Sequence, residues 1–153
     1  MILELYHLVF MIEILLMVLK LMLEIAKEHN LFIICDEVYR EFVYDRDDLV
    51  SALQYEEYKD NVIVIDSVSK RFSACGARIG AVITRNKQMI AQILKLSQGR
   101  LCSPTLEQVG SAALYEAATP EYYASVREEY QRRRDTVVEA FNKIPGVKFH
   151  TPD

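Results

Sequence analysis

The sequence predicts an α/β fold, a mostly parallel sheet flanked by helices, and three features of its 153 residues carry that reading. Two short apolar runs, "LFIIC" at 31–35 and "NVIVI" at 61–65, are each closed by an aspartate, Asp36 and Asp66. Runs that are apolar at nearly every position suit strands buried on both faces, as in a parallel sheet. A third run, "IGAVIT" at 79–84, adds a strand candidate, and from Asn86 onward the apolar residues recur at helical spacing.

Taken in order, residues 1–26 are strongly apolar but interrupted by Glu4, His7, Glu13, Lys20 and Glu24. No run of about 18 uncharged residues exists, so a membrane span is disfavoured. The absence of a basic start followed by a small-residue cleavage site speaks against a signal peptide. The segment reads as a buried or interface-forming helix whose polar end, "EIAKEHN", terminates at Asn30. After the first strand, "EVYREFVYDRDD" reads as a turn and irregular segment. Asn86 can cap "KQMIAQILKLSQ", with Met89, Ile90, Ile93, Leu94 and Leu96 as its apolar stripe and Gly99 marking its end. Pro104 opens a helix to about Ala118, and Thr119-Pro120 starts a long one to about Lys143. Pro145-Gly146 then turns the chain into "VKFH", read as the beginning of another strand.

Composition narrows the function classes. With 51% hydrophobic and 26% charged residues the chain is globular and long enough for one core. A net charge of −4 with scattered basic residues argues against a nucleic-acid binder. The run Arg132-Arg133-Arg134 lies among Glu128, Glu129, Asp135 and Glu139 and reads as a solvated helix face. Cys35, Cys75 and Cys102 form no CxxC, so neither a disulfide framework nor a zinc site is indicated and a reducing cytoplasm fits. Cys35 and Cys75 are taken as small packing residues, and Tyr44, Tyr55 and Tyr58 as packing or surface aromatics. His7, His29 and His150 lack spaced partners, and no metal site is expected.

The stretch that carries chemistry is "DSVSKRFSACGARIG", residues 66–80. In open α/β sheets ligands bind beyond the carboxyl ends of the strands, which is where Asp36 and residues 66–70 fall. Arg78 can grip a phosphate with two parallel hydrogen bonds, and Ser67 and Ser69 add neutral donors. Lys70 is a potential nucleophile, Tyr39 can reach the same space, and Gly76 and Gly80 permit a tight turn or a close backbone approach. Singly, a lysine after a strand is a surface residue and a strand-end aspartate is a cap; the case lies in their joint occurrence.

"DEVYREFVYD" followed by "DSVSKRFSACGARIG" resembles the fold-type I aminotransferases that use pyridoxal phosphate, the class I and II group typified by aspartate and aromatic aminotransferases. The shared pattern is Asp-x-x-Tyr, then about thirty residues on Ser-x-[Ser/Thr]-Lys, then an arginine eight positions after the lysine, over roughly residues 22–153. The resemblance implies that Lys70 forms the imine with the cofactor aldehyde and moves the α-proton, and that Asp36 pairs with the pyridine nitrogen. It implies further that Tyr39 donates to the ring's phenolic oxygen, and that Arg78 and Ser67, helped by Ser69, hold the phosphate.

The reaction so implied is amino-group transfer from a 2-amino acid, aspartate or similar, to a 2-oxo acid such as 2-oxoglutarate. A β-lyase, a decarboxylase or a cyclopropane-forming synthase of the same fold would present the same lysine and arginine. A non-catalytic interaction fragment is the alternative from another class. The implied domains are a partial cofactor-binding large domain over 1–119, with 1–21 an atypical apolar helix, and a linking helix with the start of a small domain over 120–153. "GRLCSPT" at 99–105 sits where the family approaches a neighbouring subunit, implying a homodimer. The family's glycine-containing phosphate loop, stacked aromatic residue, Asn-Pro-x-Gly turn and carboxylate-binding arginine find no match, so a weak or inactive fragment is expected.

Overall fold

The computed structural model describes residues 16–45, 50–148 and 151. The chain separates into two compact units, the first built from Met1–Glu37, Val50–Ser67 and Gly80–Cys102, the second from Val38–Leu49, Val68–Ile79 and Ser103–Asp153.

The first unit is a three-stranded sheet, β1 (Ile33–Asp36), β2 (Val62–Ser67) and β3 (Gly80–Ile83), in that spatial order. β1 and β2 pair in parallel, Ile33 opposite Val62 and Asp36 opposite Ile65, as the continuous apolar runs predict. β3 pairs with β2 antiparallel, Ser67 opposite Gly80. The chain leaves β2 at Ser67 and re-enters the sheet at the facing Gly80, so the next strand must run back along its neighbour. β2 also extends beyond its apolar run: Asp66 and Ser67 are strand residues.

Before β1 comes helix α1, helical over residues 16–28; residues 1–15 of the apolar segment lie outside the described residues. It ends at Asn30, as expected, in a left-handed turn: Asn30 has φ 53° and the Leu31 amide donates back to the Ala26 carbonyl at 2.7 Å. Leu23 is fully buried and forms the core with Ala52, Tyr58, Val62 and Val64. Leu19, Ile33 and Cys35 pack against that cluster, so the Ile33–Val62 and Cys35–Val64 face of the sheet is the covered one. On the opposite face Ile34, Ile65 and Val82 stand exposed. Tyr58 and Tyr55 are packing aromatics, as the sequence suggests. Polar side chains brace the edges: Asn61 Nδ2 donates to the Leu31 carbonyl at 2.8 Å, and Glu37 accepts from the Ser51 hydroxyl at 3.0 Å and the Ala52 amide at 3.1 Å. After the four-residue helix α2 (Val68–Arg71, in the second unit), helix α3 (Lys87–Gly99) begins at Asn86, whose side chain accepts from the Met89 amide at 2.9 Å. The left-handed residue beyond α3 is Leu101, φ 70°, rather than Gly99. The α3 stripe is only partly sheltered, with Ile90, Leu94 and Leu96 exposed.

The second unit comprises the segment after β1, α2, a 3₁₀ turn at Cys75–Ala77, and helices α4 (Thr105–Ala117) and α5 (Pro120–Asn142). Thr119 caps α5 by accepting from the Tyr122 amide at 3.3 Å, with Pro120 at the first helical position. Phe72 anchors the helices, its ring centroid 5.1 Å from that of Tyr115 and 6.0 Å from that of Tyr122. Val147 and Lys148 are not in a strand, and Phe149 and His150 of the last strand candidate lie outside the described residues.

Candidate functional site

Within the second unit, Lys70 lies on α2, the single helical turn that directly continues β2. Its amine stands 5.7 Å from the centroid of the Tyr39 ring, a cation–π distance. Lys70, Tyr39 and Ser69 line one hollow of about 370 Å³, together with Tyr44, Cys75 and Tyr130. That volume falls within the range of small-molecule sites, which runs from roughly 300 to 1,000 Å³.

The turn after α2 closes on itself. The Cys75 thiol donates to the Ser69 carbonyl at 3.2 Å, and Arg78 Nη1 donates to the Cys75 carbonyl at 3.1 Å. Arg78 is exposed and left-handed, with φ 55°. A non-glycine residue held there costs on the order of 1–2 kcal/mol, and such strain gathers at functional sites. Cys75 is exposed and lines the hollow, with its thiol bonded to the Ser69 carbonyl, which corrects its reading as a packing residue. Cys35 is half-buried against the core, and burial, with a smaller contribution from Glu37, pushes its thiol up.

Within the first unit, Asp36 ends β1 and is exposed, and Ser67 ends β2. Asp36 faces Ile65 in the register, and Ser67 lies two residues further along β2, so both belong to the same sheet face, the one away from the core. The Ser67 amide donates to the Asp66 carboxylate at 2.7 Å. Gly80 answers to the close approach expected of it, since a Cβ there would come within 3.2 Å of the Asp66 carbonyl oxygen; Gly76 has open space around it. The structure thus brings Tyr39, Ser69 and Lys70 to one hollow, keeps Arg78 on the adjoining turn, and sets Asp36 and Ser67 on one face of the sheet.

The aromatic wall and its ties escape sequence reasoning. Arg134 is not part of a solvated face: its side chain is only 11% exposed and pairs with Asp45, whereas Arg132 and Arg133 are exposed and pair with Glu129. Its guanidinium also lies 5.0 Å from the centroid of the Tyr44 ring. Burial pushes the Tyr44 phenol up, partly offset by Arg134. Arg71 pairs with Glu41 at 3.6 Å, so the segment carrying Tyr39 is tied to α2 one residue from Lys70. The i, i+1, i+4 spacing of Tyr130, Gln131 and Arg134 was the available signal, hidden by the mixed charges around it. Among the described residues no group of His, Cys, Asp and Glu could hold a metal ion, and no helix is long and apolar enough to cross a membrane.

A parallel strand pair in the first unit, with Lys70 on the helical turn that follows the second of those strands in sequence, makes this lysine a candidate for cofactor chemistry. A family model described as "Aminotransferase class I and II" matches residues 16–153, and the chain belongs to that family. It is 33% identical over 139 residues to a probable aspartate/prephenate aminotransferase of Aquifex aeolicus, covering 88% of this chain and 35% of the relative. It is 36% identical over 116 residues to a (5-formylfuran-3-yl)methyl phosphate transaminase of Methanocaldococcus jannaschii, covering 75% and 31%. Among solved structures, the aspartate aminotransferase of Thermotoga maritima superposes with a TM-score of 0.74 at 31% identity, over 88% of this chain and 34% of that one. A pyridoxal-phosphate-bound putative aminotransferase from Clostridium difficile 630 shares the fold at a TM-score of 0.79 and 19% identity, over 88% and 35%. The chain spans about a third of the length of the relatives it matches. Enzymes of this family use pyridoxal phosphate.

Proposed function

We propose that this chain serves amino-group transfer from a 2-amino acid, aspartate or one similar, to a 2-oxo acid, with pyridoxal phosphate as cofactor. The observation that carries the reading is the amine of Lys70 in a hollow of cofactor size beside the Tyr39 ring, in a chain of the aminotransferase family. The donor set fits the cofactor: an amine for its aldehyde, a phenol for its ring hydroxyl, a carboxylate for its ring nitrogen, and a guanidinium with hydroxyls for its phosphate. When bound, the cofactor supplies an electron sink that makes the α-proton of an amino acid removable.

The residues do the rest. Lys70 Nζ, neutral when it acts, takes the α-proton and returns it at the other end of the transfer. Asp36 holds a proton on the ring nitrogen through its carboxylate, and Tyr39 donates its hydroxyl proton to the ring oxygen. Arg78 binds the phosphate with two parallel hydrogen bonds, and Ser67 and Ser69 add hydroxyl donors. The strained left-handed backbone at Arg78 supports that role. Residues 1–119 belong on this reading to the cofactor-binding domain and 120–153 to the helix entering a second, smaller one. A homodimer in the cytoplasm completes the proposal, supported by the exposed Leu106 and Val109, one helical turn apart on α4. The test is a titration of pyridoxal phosphate into the chain and into Lys70→Ala, read by visible absorbance. A saturable band that is lost in Lys70→Ala is expected; an equal band in both proteins would overturn the assignment.

A further inference from the structure

We propose that Arg134 is a positioning residue for the cofactor site: from α5 it fixes the segment that sets Tyr39 against Lys70. The inference rests on the reading of Tyr39 and Lys70 as cofactor residues, and its geometry lies wholly within the second unit.

Three neighbouring side chains of α5 grip one short stretch of chain. The Tyr130 ring meets the Phe42 ring edge-on with centroids 4.9 Å apart. Gln131 Nε2 donates to Asp45 Oδ1 at 3.3 Å. Arg134 takes both Asp45 oxygens with its two terminal nitrogens, covers the Tyr44 ring at 5.0 Å, and is itself held by Asp135 at 2.9 Å. Phe42 in turn meets Tyr39 with centroids 6.0 Å apart, and Tyr39 stands 5.7 Å from the Lys70 amine. Ring contacts thus run from Tyr130 of α5 through Phe42 and Tyr39 to the amine, and Arg134 holds the Asp45 end of the same short stretch of chain.

The Arg134 link is the costly one to lose. Although Asp45 is 45% exposed, a guanidinium that is 11% exposed and uses both terminal nitrogens on that one carboxylate is a stronger tie than a surface pair with a single contact. Without it, residues 39–45 keep the Gln131–Asp45 hydrogen bond at 3.3 Å, two aromatic contacts and the Glu41–Arg71 pair, none of which grips a carboxylate with two nitrogens. Tyr39, 61% exposed, has little packing of its own to hold its hydroxyl in place. A supporting contact of this kind sets how well a ligating group is oriented.

The experiment titrates pyridoxal phosphate into the full chain and reads the half-saturating concentration from visible absorbance, for wild type, Arg134→Ala, Tyr39→Phe and the double variant. Arg134→Ala is expected to raise that concentration by about tenfold, and by no more than about twofold in the Tyr39→Phe background, because the two act on one group. Asp45→Arg combined with Arg134→Asp, which rebuilds the pair in reverse, should recover part of the loss. Where Arg134→Ala loses helical circular dichroism, Arg134→Lys, which keeps the cation without the fork, takes its place. An equal fold-change with and without the Tyr39 hydroxyl, or no change in either background, overturns the inference. A wild-type chain with no saturable band refutes the cofactor reading itself, and the role of Arg134 with it.

Discussion

Leu23→Ala tests the packing that carries the strand leading to the site. Leu23 is fully buried, and its neighbours in the core are Val62 and Val64 of β2 with Tyr58 and Ala52. Val64 is pinned on both sides, by Cys35 of β1 and Ile83 of β3, and Val62 by Ile33 of β1, so they cannot move in to fill the space left by a truncated leucine. Large-to-small changes at such sites cost about 2–5 kcal/mol, and a cavity that cannot collapse belongs in the upper half of that range. Folded domains have only about 5–15 kcal/mol of stability in total, so the loss is a large share of it. Urea unfolding followed by far-ultraviolet circular dichroism should show a clearly lower midpoint at unchanged slope. Met22→Ala is the control: the adjacent side chain is 51% exposed, and its loss should cost no more than about 0.5 kcal/mol. If the two variants unfold at the same denaturant concentration, α1 does not cover the sheet in the way described.

Arg78→Gly should separate stability from binding: relief of the left-handed backbone, less the entropy that glycine brings to the unfolded chain, leaves a gain of about 0.5–1 kcal/mol. Pyridoxal phosphate affinity should fall in the same variant, and calorimetric unfolding with a cofactor titration would reveal either effect missing. Burial raises the Cys35 thiol, so at any pH below its titration it carries less thiolate than an ordinary cysteine. Iodoacetamide should therefore modify exposed Cys75 and Cys102 before Cys35 in the native chain; peptide mapping that finds Cys35 labelled first would contradict its placement in the core.

What could be read from the sequence was what is decided locally. Asn86 and Thr119-Pro120 start helices because their side chains satisfy amides three residues on, and Asn30 ends one because it tolerates the left-handed turn. The two apolar runs became parallel neighbours, as their composition suggested, but burial on both faces is not met: the Ile33–Val62 and Cys35–Val64 face is covered, while Ile34 and Ile65 on the other stand exposed. The direction of β3 was not written in "IGAVIT", since it depends on where the chain re-enters the sheet after Ser67. Gly99 looked like the residue that ends α3, yet Leu101 takes the positive φ, because the helix runs through the glycine. Arg134 was hidden for a different reason. Its partner Asp45 is 89 residues away, while acids of equal charge stand beside it in sequence, and charge alone does not tell a near acid from a distant one. The family was legible around Lys70 because cofactor chemistry demands particular side chains at particular separations, which packing alone does not.

Lys70 is the residue proposed to carry the cofactor. Borohydride reduction of the chain with pyridoxal phosphate, followed by peptide mass spectrometry, tests it most directly. The cofactor's mass should fall on the peptide containing Lys70 and disappear in Lys70→Ala. A label spread over exposed lysines such as Lys59 and Lys95, or one that survives that substitution unchanged, would contradict it.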